Sequence, residues 1–184
     1  MQLGATRDDC HVKAGVEFLR KSQLKDGSWF GRWGVNYIYG TWSALAGLNA
    51  AGLASDEKMI RRAADWLVSI QNEDGGWGES CDSYRLDYKG YERAPSVASQ
   101  TAWALMGLMA AGEVDHPATA RGIRFLQSSQ RGDGLWPEDT YTGGGFPRVF
   151  YLRYHGYAKF FPLWAVARYR NLKSGNSRQV AHGL

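Results

Sequence analysis

Cysteine is scarce in this chain: Cys10 and Cys81 are the only two in 184 residues. Two thiols at that spacing make neither a disulfide framework nor a zinc site, and a reducing compartment suits them. The histidines, His11, His116, His155 and His182, are scattered with no ligand spacing. His-Glu-x-x-His, Gly-x-Ser-x-Gly and phosphate-cradling glycine motifs are absent, so neither a metal nor another cofactor is expected. No nucleic-acid-binding motif occurs, and no nucleic-acid partner is expected. No run approaches the roughly 20 apolar residues of a membrane-spanning helix. The first ten residues are polar and charged, unlike a secretory signal. The chain is therefore expected to lie on a membrane, if it meets one, and not to cross it.

What is abundant is ring and glycine. Aromatics make up 14% of the residues, eight Trp and ten Tyr among them, beside 23 glycines. That pairing suits close backbone contacts against flat surfaces. At 44% hydrophobic and 22% charged the chain is globular, with enough length for one core. The net charge is +4. Arg168, Arg170, Lys173 and Arg178 carry much of the excess, and residues 173–184 read as a flexible basic tail. Such a tail is either merely solvated or weakly drawn to anionic lipid headgroups.

Repetition organises the rest. Gln23, Gly27 and Trp29 form a Gln-x-x-x-Gly-x-Trp motif; Gln71, Gly75 and Trp77 form a second, and Gln130, Gly134 and Trp136 a third. Each is led by a basic residue, a small residue and an aromatic–aliphatic pair: Phe18-Leu19, Trp66-Leu67 and Phe125-Leu126. A second repeat interleaves. Residues 41–52 and 101–112 agree at eight of twelve positions, and each segment ends in a glycine suited to stopping a helix. Apolar residues at helical spacing (Val12, Val16, Leu19; Ile60, Ala63, Leu67; Val97, Thr101, Leu105; Phe161, Ala165, Tyr169) predict helices on both sides of each motif. Ser96 is expected to cap a helix, and Pro117 and Pro162 to sit in first turns. Small residues such as Ala44 and Gly47 should let helices approach closely. No convincing alternating run predicts a strand, so the fold class is all-α, built of stacked helix pairs. By spacing alone, an open solenoid and a closed α/α toroid both fit. Two long connections, 78–95 and 131–160, break the rhythm, and connections of this length are often functional. Glu79, Asp82, Asp87 and Glu92 cluster in the first and read as solvated. Gln23, Gln71, Gln130 and the three motif tryptophans read as structural, the amide reaching a neighbouring helix end.

Three such motifs in register resemble the QW motifs of class II triterpene cyclases. Gly31-Arg32-Trp33-Gly34-Val35-Asn36-Tyr37-Ile38-Tyr39-Gly40 resembles an active-site segment of that group. Gly145-Phe146-Pro147, followed by Phe150, Leu152, Tyr154 and Tyr157, resembles the C-terminal cavity segment of squalene–hopene cyclases in particular, where oxidosqualene cyclases differ. Residues 13–172 carry the likeness, after a lead-in of residues 1–12. The resemblance implies a fold of two α/α barrels, with this stretch forming part of one α6/α6 barrel. It implies an enzyme on the cytoplasmic face of a bacterial membrane that folds squalene, protonates a terminal alkene and closes five rings. Proton loss then gives hopene, and water capture gives hopanol. The family's Asp-x-Asp-Asp acid does not occur here. The chain is therefore expected to be a C-terminal piece, inactive alone, whose partners are squalene, the remaining N-terminal part of the cyclase, a membrane surface and further copies of itself.

The same resemblance assigns roles. Trp33 lines the cavity. Tyr39 helps return the proton to the acid, being far too weak to protonate an alkene itself. Phe146 and Phe150 stabilise late cations through their ring faces, while Leu152, Tyr154 and Tyr157 shape the folded substrate. From spacing alone the aromatic run also fits ordinary core, either along one helix face or, if extended, with Phe150, Leu152 and Tyr154 on one side. Two rival readings are a protein prenyltransferase β-subunit-like toroid, requiring zinc near Cys81 and Asp82, and a helical-repeat scaffold binding peptides.

Overall fold

The structure is a computed structural model that describes residues 4–85 and 90–175. Three outer helices alternate with three inner ones: α1 (Cys10–Ser22), α2 (Tyr37–Ala50), α3 (Lys58–Ser69), α4 (Ala98–Ala110), α5 (Pro117–Ser129) and α6 (Tyr157–Lys173). The split follows hydrophobic pattern. Beyond the polar Ser99, Gln100 and Thr101 of its first turn the inner α4 is apolar, and every one of its residues is buried, because α2 and α6 flank it and α3 and α5 back it. The outer α3 is amphipathic and buries Met59, Ile60, Ala63, Ala64, Trp66 and Leu67 while its other face meets solvent. Trp77, Trp103, Leu67, Leu105 and Leu108 are completely enclosed at the centre of the core. Truncating one of these large side chains to alanine costs about 2–5 kcal/mol.

Each Gln–Trp motif ties an outer helix to its surroundings in one way. The indole N–H of Trp29, Trp77 and Trp136 donates to the carbonyl of Leu19, Leu67 and Leu126, at 2.8, 2.8 and 2.7 Å. Those are carbonyls of the last helical turn, where backbone acceptors run short of helical partners, although Leu19 O also accepts from Gln23 N at 3.1 Å. The glutamine amide closes the turn by donating to the carbonyl four residues on, at Gly27, Gly75 and Gly134. In the first two motifs it also donates to the next outer helix, to Met59 O at 2.8 Å and Ala118 O at 2.9 Å. The motif glycines hold φ of 103°, 89° and 80°, which a side chain rarely adopts. At Gly27 and Gly75 an added Cβ would also strike the backbone of Arg62 and Arg121; at Gly134 that space is open.

Several sequence expectations change. A strand pair is present: β1 (Gly143–Phe146) and β2 (Phe150–Leu152) pair antiparallel, with a register irregularity between Gly144 and Phe146. Three consecutive glycines hid it, having no side chains to alternate. Ser96 does not cap α4; its hydroxyl donates to Asp74 at 2.7 Å, and Val97 takes the cap position. Pro117 opens α5 as expected, but Pro162 lies inside α6. A Cβ on Gly47 would meet only Leu19, at 3.9 Å; closer helix approaches occur at Gly107, where a Cβ would lie 3.0 Å from Leu67 and 3.4 Å from the Trp42 backbone, and at Gly122, where it would lie 2.8 Å from Leu105. Asp87, Arg178 and His182 lie outside the described residues, as does the expected tail beyond residue 175.

Candidate functional site

The segment between Trp29 and α2 is irregular and tightly wedged. Tyr84, fully buried on the 3₁₀ turn Cys81–Tyr84, places its hydroxyl 2.8 Å from the carbonyl oxygens of both Gly31 and Gly34, which share its one proton. The Asn36 side chain accepts from Gly31 N and donates to Ser83 O. The segment then pairs with the hairpin: Val35 N donates to Thr142 O, and Gly144 N to Trp33 O. Trp33 therefore sits on an irregular turn, 52% exposed, beside the strand that carries Phe146.

Glycines seat the rings. A Cβ on Gly34 would lie 2.3 Å from the Tyr39 ring, one on Gly145 1.9 Å from Phe150, and one on Gly143 2.6 Å from Tyr154. These rings rest directly on bare backbone. Phe146 and Phe150 meet edge to face at 5.8 Å. Tyr39, Tyr157 and Tyr154 join through Trp103: Tyr39–Trp103 at 5.1 Å, Trp103–Tyr157 at 5.5 Å and Tyr157–Tyr154 at 4.8 Å. The run is thus extended from Phe150 to Leu152 and helical only from Tyr157, not one helix face. Leu152 is half-buried and pairs with Gly143. Phe146, Phe150 and Tyr154 are 60%, 44% and 44% exposed, so they are not core of this chain. Burial raises the hydroxyl pKa of Tyr39, and likewise that of Tyr157, where the neighbouring Tyr39 and Tyr154 hydroxyls add to it. A recess of about 460 Å³, walled by Phe18, Trp29, Phe30, Trp33 and Tyr39 among others, opens on the first part of this surface. A larger one of about 570 Å³ lies at the opposite ends of the inner helices, around Asn49, Met109 and Leu172, and holds none of the candidate residues.

Glu79 overturns its expected solvation. It is 4% exposed. Its carboxylate accepts from the backbone N–H of Asn36, Tyr37 and Ile38, each at 3.0 Å. It thereby satisfies the open first turn of α2, whose cap residue Asn36 makes no side-chain cap bond. Burial pushes its carboxyl above the usual range, and the three N–H groups pull against that shift. Glu138 does the same for α4, accepting from Ser99 N at 2.9 Å and Ser99 Oγ at 2.7 Å. The signal was present: Trp77-Gly-Glu79 and Trp136-Pro-Glu138 share one spacing. Asp82 stays exposed and Glu92 half-buried. Cys81 donates to Tyr141 O. Among the described residues the one close group of metal-ligand types is Asp9, Cys10 and His11, where the Asp9 carboxylate already caps α1 by accepting from His11 N.

Stacked helix pairs with a Gln–Trp turn at each outer helix, and an aromatic surface where the inner helices begin, define the terpene-cyclase type of α/α toroid. The chain aligns with the structure of a type II terpene cyclase from Scytonema at a TM-score of 0.52 and 27% identity, covering 68% of this chain and 34% of that one. Residues 1–171 match the squalene-hopene cyclase C-terminal domain, and the chain belongs to that family. It is 67% identical over 184 residues to the squalene–hopene cyclase of Bradyrhizobium diazoefficiens, covering 100% of this chain and 28% of that protein. With the squalene–hopene cyclase of Zymomonas mobilis it shares 63% over 183 residues, again covering 100% of this chain and 28% of the relative. The chain thus spans little more than a quarter of the length of these relatives, at 28%. They favour the cyclase reading over the scaffold and prenyltransferase readings.

Proposed function

We propose that this chain supplies one wall of the reaction cavity of a squalene–hopene cyclase, with squalene as substrate and a membrane-seated full-length enzyme as its setting. The observation that carries the reading is the aromatic surface. Trp33, Tyr39, Phe146, Phe150, Tyr154 and Tyr157 come from three separate segments: Tyr39, Tyr157 and Tyr154 join through Trp103, Phe146 meets Phe150 on the hairpin, and the hairpin bonds to the Trp33 backbone. A cyclisation cascade needs positive charge stabilised without a nucleophile that traps it. Ring faces do this, each for roughly 0.5–2 kcal/mol. Rings seated on glycine backbone and held by neighbouring strands are preorganised for it. In this reading Phe146 and Phe150 face late cations, Leu152, Tyr154 and Tyr157 set the shape of the folded substrate, Trp33 lines the cavity, and Tyr39 takes part in returning the proton. Initiation belongs to an acid outside this chain. A lipid substrate also accounts for a seat on the membrane surface, since among the described residues no helix is long and apolar enough to cross one.

Phe150→Ala in the full-length enzyme tests the reading. Removing one ring lowers the rate of the closure next to it by about 2- to 30-fold. Deprotonation competes with that closure, so partly cyclised terpenes should accumulate at the expense of pentacyclic product, while total conversion persists. Gas chromatography of the extracted products is the measurement. An unchanged product ratio would remove Phe150 from the cavity. Where Phe150→Ala fails to fold, Phe150→Leu is read in the same way.

A further inference from the structure

We propose that Glu79 is a positioning residue for Tyr39: its carboxylate, delivered by the first long connection, fixes the start of α2 and with it the place of the Tyr39 ring in the cavity wall. The proposal rests on the cyclase reading above.

Four observations carry it. The carboxylate grips three consecutive backbone N–H groups, of Asn36, Tyr37 and Ile38, and Tyr39 is the next residue. The Asn36 side chain is committed elsewhere, to Gly31 N and Ser83 O, so it cannot take over the cap. Glu79 is itself immobilised: its N–H donates to the Gln100 side-chain oxygen at 2.8 Å, and the Gln100 amide donates to Glu79 O at 3.1 Å and Val35 O at 3.0 Å. The Tyr39 ring has little latitude of its own, resting on Gly34 on one side and meeting Trp103 and Trp42 at 5.1 and 5.5 Å. Any shift of the first turn of α2 therefore moves the ring along these surfaces. A carboxylate suits the task because it accepts from all three N–H groups at once and complements the positive end of the helix. An amide at the same place has one acceptor oxygen and turns an NH₂ group toward an N–H donor.

Glu138 provides the comparison. It caps α4 through Ser99 with the same chemistry and also accepts from Thr142 Oγ1 at 3.0 Å, so among the bonds described it reaches the 31–36 segment only through Thr142, whose carbonyl accepts from Val35 N, and not at the first turn of α2. Loss of a cap alone is thus separable from loss of the Tyr39 setting.

The test uses the full-length protein that contains this chain, with fluorotyrosine placed at position 39 for fluorine NMR and, separately, steady-state turnover of squalene. Glu79→Gln is expected to shift or broaden the position-39 resonance and to lower kcat at least about tenfold with KM changed less than about threefold. Glu138→Gln is expected to lower the melting temperature comparably while leaving resonance, kcat and product ratio near wild type. A position-39 resonance unmoved by Glu79→Gln, or a kcat within twofold of wild type, overturns the proposal; so does an equal effect from Glu138→Gln. Should Glu79→Gln not fold, Glu79→Asp, one methylene too short for the grip, is read against the same criteria. A wild-type full-length protein that makes no cyclised terpene refutes the reaction reading instead, and the resonance still decides whether Glu79 sets Tyr39.

Discussion

Cys81 shares its turn with Tyr84 and feels the same enclosure. Burial, and then the charges of Asp82 and Glu79, push its thiol up to about 11. Near pH 8 only about one thiol in a thousand is ionised, and the thiolate is the reactive form. Alkylation of Cys81 by iodoacetamide should therefore lag well behind that of exposed Cys10, and its rate should climb about tenfold per pH unit up to the neighbourhood of pH 11. Site-resolved mass spectrometry over pH 7–9 measures this, and equal rates at both cysteines would mean that the turn opens readily. The neighbouring Glu79 shows what single-residue reasoning misses. A glutamate in a polar loop reads as solvated because charge avoids burial. Its fate was decided by unpaired N–H groups on a helix 41 to 43 residues earlier. Only the recurrence of Trp-x-Glu, at 77–79 and 136–138, pointed to a shared structural task.

Among elements, the Gln–Trp motifs were legible because each closes local bonds at fixed spacing, leaving the same trace in sequence three times. Their unequal surroundings were not legible, since these depend on which helix comes next in space. Gln71 donates to Gly75 O and Ala118 O and accepts from Arg121, whereas Gln130 donates to Gly134 O alone among the bonds described. At about 0.5–1.5 kcal/mol per bond, Gln71→Ala should cost roughly 1.5–4.5 kcal/mol and Gln130→Ala about 0.5–1.5. Urea midpoints of the two variants of this chain test the ordering; equal shifts would refute it. The hairpin leaves no such trace in the sequence, for a different reason. Gly143 to Gly145 have poor intrinsic strand preference and no alternation. The structure uses them for their bare surface, on which Tyr154 and Phe150 lie.

For the whole molecule, the inner row α2–α4–α6 is well covered at its centre and poorly covered at its flanks. α1 buries no residue, Phe18 on it is 69% exposed, and Phe160 and Leu163 on α6 are 71% and 61% exposed. Apolar faces of that kind promote association. The isolated chain should be helical by circular dichroism, self-associate in light scattering, and form no pentacyclic product from squalene above a denatured control. A stable monomer would contradict the first expectation about its surfaces, and product formation would place a sufficient acid within these residues. The paired glutamates carry a further consequence, one of time. α2 receives its capping carboxylate from residue 79, and α4 from residue 138. At about 5–20 residues per second of synthesis, the 41 residues from Ile38 to Glu79 take on the order of 2–8 s to emerge. During that interval the first turn of α2 has only water for its N–H groups. Both helices are locked by residues made after them, so a nascent chain of this kind sets from behind, and a ribosome stalled before residue 79 would hold an α2 whose first turn has not yet received its carboxylate.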